Sequence, residues 1–338
     1  MLKVWIDVKN SHEPAFFLPF IKEFNNYEFC ITSRQYAEVV GLLNKFGVQH
    51  SVIGRYYEGN RAKKAIGVIL RDISLFLKMP SFDVNISHGS INSIHAAKMR
   101  MKKAICFSDN DAAPRVAKVF FGLVDYLITP NAIPMETLID QGAKNVILQY
   151  NGLKEDIYIA DFKPDPKFLD NLPFDDFIAI RPESLQADYI PKGIKSIVPK
   201  LIKDFNKENI NILFLPRYKR DKEYARNLDV YIPKEPLNGL DICWYSKAVL
   251  TGAGTFAREA ACMGAPAVSF FPGRQLLSVD QKMINDGWMI HSRDPKEIVE
   301  YVLNSKKRKV EFSRSKKVQK EVLNITKNIL EEIKGDVH

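Results

Sequence analysis

The chain has 338 residues, enough for two domains that each bury a core, and its 46% apolar and 26% charged content is that of an ordinary globular protein. Its net charge of +9 points to an anionic partner, namely a nucleotide, an anionic lipid surface or a nucleic acid, and the lack of helix-turn-helix, zinc-finger or RNP-type patterns argues against the last. No apolar run approaches the roughly 20 residues that span a bilayer, no leader with a cleavage site is evident, and Cys30, Cys106, Cys243 and Cys262 lack C-x-x-C spacing, so the expectation is a cytoplasmic chain with reduced thiols.

Residues 3–8 read as a buried strand, followed by the polar loop 9–13. Pro14 suits the first turn of a helix with Phe17, Leu18, Ile21 and Phe24 inward. A strand over 27–32, a helix over 36–46 and a strand over 48–53 follow. Strand and helix keep alternating, which signals parallel βαβ units, with further strands at 84–87, 104–107, 126–128 and 145–148. Residues 61–79 carry five basic residues among many apolar ones, a pattern shared by core helices with a charged outer face and by helices that lie in an anionic membrane interface. The Asp-, Lys- and Pro-rich stretch 151–176 reads as an interdomain linker between a first domain over 1–150 and a second over 177–310. Strands are expected at 177–180, 210–215, 230–232, 248–250, 267–270 and 288–290, and helices include 191–205 and 295–303. Residues 311–338 close the chain with a charged amphipathic helix that carries Val318, Val322, Ile325 and Ile329 on one face.

Ligands of open parallel sheets sit beyond the carboxyl ends of the strands, so the loops there matter most. In the first domain these loops bring His12 and Glu13, His88 and Ser90, and Asp109 and Asp111 to one rim. His12 can serve as a general base, its ordinary pKa being near working pH, or can cap the helix that follows. Asp109 and Asp111 can orient that histidine, bind hydroxyls or act as the base, and Asp111 can equally cap a helix. In the second domain Arg181 and Arg217 follow two strands, and a planar guanidinium suits phosphate as well as it suits a surface salt bridge.

The run 249–269, with Gly252, Gly254, Thr255 and Glu259, is a strand, a glycine-rich turn, a short helix over 256–263 and another strand. Such a turn lets backbone N–H groups and a helix N-terminus converge on phosphate. TGAGTFAREA…GAP resembles the nucleotide-binding loop of GT-B-fold enzymes, among them UDP-N-acetylglucosamine 2-epimerases and MurG-like glycosyltransferases, where it reads roughly S-G-G-x-x-E-E-A…G-x-P. The resemblance implies that Gly254 and Thr255 lie against a diphosphate and Glu259 against the ribose. Ala253 replaces the usual Ser, and Arg258 the first Glu. Over nearly its whole length, through segments such as WIDVKNSHEPAFFLPFI, SDNDAAPRVAK and YNGLKEDIYIADFKPD, the chain is similar to the DUF354 family.

The fold implied is α/β and GT-B-like, two doubly wound Rossmann-like domains facing a cleft, with a C-terminal helix that returns to the first domain. The function implied is a metal-independent glycosyltransferase of surface-glycan or glycolipid assembly. A nucleotide-sugar, UDP-linked, would be its donor substrate rather than a cofactor, and a glycan or lipid-linked hydroxyl its acceptor. Arg274 and Gln275 would reach the donor sugar, and GT-B transferases that carry a base in the first loop make His12 its counterpart. The three residues Asp109-Asn-Asp111 are too few to argue for the metal motif of GT-A enzymes. A sugar-nucleotide 2-epimerase or hydrolase of the same fold is the alternative. His88-Gly-Ser90 aligns with an epimerase H-G-D segment but has Ser in place of the acid, and the N-terminal G-T-R-P-E is absent. A non-catalytic nucleotide-binding or membrane-surface scaffold is the reading from another class, and peripheral contact with the inner membrane face is the expectation from residues 61–79.

Overall fold

The computed structural model describes residues 1–36, 39–55, 61–185, 190–191 and 193–337. The chain divides into two compact units: Met1–Tyr158 with Arg314–His338, and Ile159–Ser313. In the first unit the order is β1 (Lys3–Val8), α1 (Glu13–Glu23), β2 (Glu28–Gln35), α2 (Val39–Lys45), β3 (Ser51–Arg55), α3 (Arg61–Lys78), β4 (Val84–His88), α4 (Ile91–Met99), β5 (Lys103–Phe107), α5 (Pro114–Phe120), β6 (Tyr126–Pro130), α6 (Met135–Asp140), β7 (Val146–Tyr150) and α7 (Lys154–Ile159). The second unit holds β8 (Ile178–Arg181), α8 (Val198–Lys207), β9 (Ile212–Phe214), α9 (Gly239–Tyr245), β10 (Ala248–Thr251), α10 (Gly254–Cys262), β11 (Ala267–Ser269), α11 (Ser278–Asn285), β12 (Ile290–His291) and α12 (Pro295–Asn304). Helix α13 (Ser313–Val337) follows.

Both sheets are parallel, in the orders β3-β2-β1-β4-β5-β6-β7 and β12-β11-β10-β8-β9. The central strands β1, β4 and β6 are buried along almost their whole length, because helices cover both faces of such a sheet. Strand order reverses between β1 and β4 in the first sheet and between β8 and β10 in the second. At such a reversal the loops at the carboxyl ends splay apart and leave room for a ligand. The loops after β1, β4, β8 and β10 are therefore the ones that matter.

Several elements differ from the sequence expectation. Helix α1 buries Phe16, Phe17 and Phe20, leaving Leu18 and Ile21 half-exposed, so its apolar stripe is turned by about one residue. Residues 230–232 make only a single bridge, Leu213 to Tyr231, rather than a strand. Helix α8 starts at Val198, well after the expected 191. The stretch read as a linker contains α7, whose Leu153–Ala160 surroundings are buried throughout, and a short 3-10 turn at Phe168–Asn171. Lys154, Glu155 and Asp156 read as loop residues because they are charged, yet their charges find protein partners rather than water.

From Arg314 onward α13 belongs to the first unit. Val318 packs so tightly on Gly152 that a Cβ there would lie 2.5 Å from its Cγ2. Arg314 and Ser315 bond the Asp156 carboxylate, and the Tyr126 hydroxyl donates to Glu332. The expected face is only partly the packed one: Val318, Val322 and Ile329 are buried with Leu330 and Ile333.

Candidate active site

In the first unit the loop after β1 folds back on itself. Glu13, fully buried at the start of α1, accepts from the Lys9 backbone N–H at 2.6 Å and from Asn10 Nδ2 at 2.7 Å. Burial pushes its carboxyl up to about 7, against the pull of the Lys9 ammonium. Lys9 in turn donates through Nζ to the Gly89 carbonyl, which ties the loop after β1 to the loop after β4. His12 occupies the cap position of α1 without capping it through its side chain, so the capping alternative does not hold. Its ring instead meets His88 edge-on, with centroids 5.2 Å apart.

His88 ends β4 among aromatic rings, 5.2 Å from Phe16. Burial pushes its imidazole down to about 3 even though the Asp109 carboxylate favours the charged form. Its Nε2 is 3.6 Å from Asp109 Oδ1, while Asp109 Oδ2 makes a 2.7 Å ion pair with the buried Lys154. The charge on Asp109 is thus balanced by Lys154 and not by His88. Asp111 is also buried, and its carbonyl accepts from Gln141 Nε2. It is not a helix cap, because α5 starts at Pro114 behind Ala113.

Ser90 does not stand on the rim. It is fully buried, donates to Asp7 Oδ2 at 2.5 Å and accepts from Ser93 N, so it caps α4. Beneath it lies a group of residues that sequence reasoning did not connect. Arg71 of α3 grips Asp7 of β1 with two bonds, 2.7 and 2.9 Å, and also donates to the Ile53 carbonyl. Burial alone would raise the Asp7 carboxyl, but Arg71 together with the Ser90 and Thr32 hydroxyls holds it below the usual range.

The ligand atoms of His12, Glu13 and His88 lie within 4.8 Å of one another, close enough to consider a metal. The charges disfavour one: Lys9 and Arg34 already act on Glu13 as neighbouring cations, and a dication would add to them. What the cluster offers instead is a carboxyl that titrates near neutral pH beside an imidazole that stays uncharged there. Glu13, near 7, can give up or take back a proton near neutral pH and His12 is the candidate to accept one, whereas His88, near 3, stays uncharged there and is no base.

In the second unit α10 begins at Gly254, two residues before the Phe256 expected from sequence, and its cap residue Ala253 supplies no side-chain bond to the first N–H groups. Those amides, at the positive end of the helix, form the feature suited to an anion. Gly252 is held against Glu183, where a Cβ would come 2.5 Å from Glu183 Cα, so only glycine fits. Arg181 lies in register with Thr251, its carbonyl accepts from Gly252 N, and its guanidinium sits 6.0 Å from the Phe256 ring.

Arg258 is fully buried and pairs with Asp280, and it also donates to Thr255 Oγ1 at 3.3 Å. A Cβ at Gly254 would meet that pair at 2.9 Å. The substitution of Arg for the usual acid is therefore matched by an acid on α11, and the pair underlies the turn. Glu259 is half-buried on α10. Arg217 spends Nε on the Pro182 carbonyl, and Arg274 and Gln275 are exposed on the loop before α11. Glu183, missed from sequence, braces the loop after β8 by binding Ser196, Ile197 N and Arg293.

The family profile described as "Protein of unknown function (DUF354)" matches residues 2–334. The chain belongs to the DUF354 family. A relative, the uncharacterised protein MJ0665 of Methanocaldococcus jannaschii, is 30% identical over 315 residues, 89% of this chain and 91% of that one. Among solved structures, the UDP-GlcNAc 2-epimerase of Methanocaldococcus jannaschii in complex with UDP-GlcNAc and UDP superposes with a TM-score of 0.69 at 16% identity, covering 96% of this chain and 99% of that one. The glycosyltransferase of kitacinnamycin does so with a TM-score of 0.58 at 10% identity, covering 98% of each. At such identities the likeness shows the fold, which is of GT-B type, and that fold serves both kinds of enzyme.

Proposed function

We propose that this DUF354 chain is a nucleotide-sugar enzyme that transfers a sugar from a UDP-linked donor to a hydroxyl acceptor of glycan or glycolipid assembly, without a metal ion. The observation that carries the reading is the first-unit cluster, a buried Glu13 raised to about 7 beside His12 and an uncharged His88. His12, the least buried of the three, takes the acceptor proton as the new bond to the sugar carbon forms. The bond from that carbon to the diphosphate oxygen breaks, and the charge left on the diphosphate meets the α10 amides and Arg181. Glu259, one helical turn on, is assigned the ribose hydroxyls.

Epimerisation needs groups that remove and return a proton on both faces of the sugar ring. Ser90, which stands where the acid of one such pair would be, is fully buried and committed to Asp7, which argues for transfer. The test is incubation of UDP-GlcNAc in deuterated water with and without candidate acceptors. We expect no deuterium at the sugar C2, UDP release that depends on acceptor, and a drop of about 10²-fold or more in that release for His12→Ala. Deuterium gained at C2 without acceptor would replace transfer with epimerisation, and tight UDP binding without turnover would leave the scaffold reading.

A further inference from the structure

Helix α3 turns Gly67, Arg71 and Leu75 inward and leaves most of its large apolar side chains outside. Its charged Arg71 points inward to Asp7, while Ile66, Ile69, Leu70, Ile73, Phe76 and Leu77 face outward, from 38% exposed for Phe76 to 70% for Leu77. These positions recur at i, i+3, i+4 and i+7, so they form one continuous stripe. The six side chains expose on the order of 600 Å² of apolar surface, at the upper end of the roughly 300–600 Å² range for the largest patch of a typical monomer.

Neighbouring helices expose apolar side chains too. Helices α3, α4 and α5 share one core, and Met99 at the end of α4, Met101 just beyond it, and Val116 and Val119 on α5 are also exposed. Among the described residues of the second unit, only Leu303 is a comparably exposed large apolar side chain. The surface is therefore a local feature of the first unit and not a general property of the chain.

Charge identifies what covers it. Besides Arg71 and Lys98, whose charges Asp7 and Asp125 answer, the three helices carry Arg61, Lys63, Lys64, Lys78, Arg115 and Lys118 against one acid, Asp72. That acid is held by Asn92 and His95. Lys63, Lys78, Arg115 and Lys118 are exposed around the apolar stripe. A second copy of the chain would set this basic rim against its own, with no exposed acid on these helices to answer it. An anionic lipid surface answers both features at once, taking the apolar side chains into the acyl boundary and the lysines and arginines at the headgroups.

We propose that the α3–α5 face of the first unit docks the protein on an anionic membrane surface. The inference stands on this surface alone and is independent of the reaction. The full chain should sediment with vesicles of phosphatidylcholine and phosphatidylglycerol at low salt, and about tenfold less at molar salt or with phosphatidylcholine alone, because exposed charges are screened. Ile73→Glu and Leu77→Glu, both on exposed positions that leave the core intact, should each weaken sedimentation by about tenfold or more, as should Lys63→Glu combined with Lys78→Glu. Leu303→Glu should leave it unchanged, and unaltered melting of every variant checks folding. Absence of sedimentation at low salt would overturn the proposal. So would sedimentation equilibrium showing a wild-type dimer that Leu77→Glu splits into monomers, because the face would then be covered by a second copy.

Discussion

Glu13 and His88 are shifted in opposite senses, and the pH dependence of stability should carry both signatures. Burial raises Glu13 from 4.5 to about 7. Between those values the folded chain keeps a proton that the unfolded chain has released, so stability falls as pH rises. Burial lowers His88 from 6.5 to about 3, so over that window the unfolded chain binds a proton that the folded chain refuses, and stability falls as pH falls. Each effect has a slope of about 1.4 kcal/mol per pH unit. From pH 4.5 to 6.5 the two windows overlap and the slopes oppose, which leaves the wild type nearly flat as far as this pair is concerned. Replacing Glu13 with Gln removes one slope and exposes the other. Urea unfolding over a pH series should show Glu13→Gln losing roughly 2–3 kcal/mol more than the wild type on going from pH 6.5 to 4.5. Superimposable pH dependences for the two proteins would refute the reasoning, because neither burial would then be controlling the charge.

Two further outcomes follow from the geometry. Glu259→Ala should weaken UDP binding by roughly 1.5–3 kcal/mol in calorimetry, the range for a hydrogen bond to a charged group, and equal affinity would remove the ribose assignment. Arg71→Met should destabilise the chain by about 3–5 kcal/mol in denaturant unfolding, because it leaves the Asp7 carboxylate buried and unpaired, and Asp7→Asn in the same chain should restore much of that.

The strands were readable because parallel strands covered on both faces are written as largely apolar runs, as in 3–8, 104–107 and 126–128. The rim residues His12, Glu13, His88 and Asp109 were readable for a related reason: they follow those strands directly, where the topology leaves room for ligands. Charge pairs over long separations were not. Nothing local to Asp7 announces Arg71, 64 residues on, and nothing local to Arg258 announces Asp280. Lys154 lies in a stretch whose polar composition reads as a linker, although its ammonium is buried against Asp109. Periodicity also fixed the stripe of α3 without fixing its direction. The usual assumption turns the apolar stripe inward, and here Arg71, bonded to Asp7, and Leu75 take the inward face while the stripe is left outside.

The first unit is assembled from two stretches separated by the whole of the second. Its first stretch is synthesised first but lacks α13, so Ile329, Leu330 and Ile333 cannot pack there until the intervening 159–313 have been made. The second unit, by contrast, is one uninterrupted stretch whose contacts are all available as soon as it emerges. Domains made on a ribosome commonly fold in N-to-C order. Here only completion is reversed: the second unit can reach its final packing while the first still awaits its last helix. Conditions that slow synthesis of residues 314–337 would lengthen that interval.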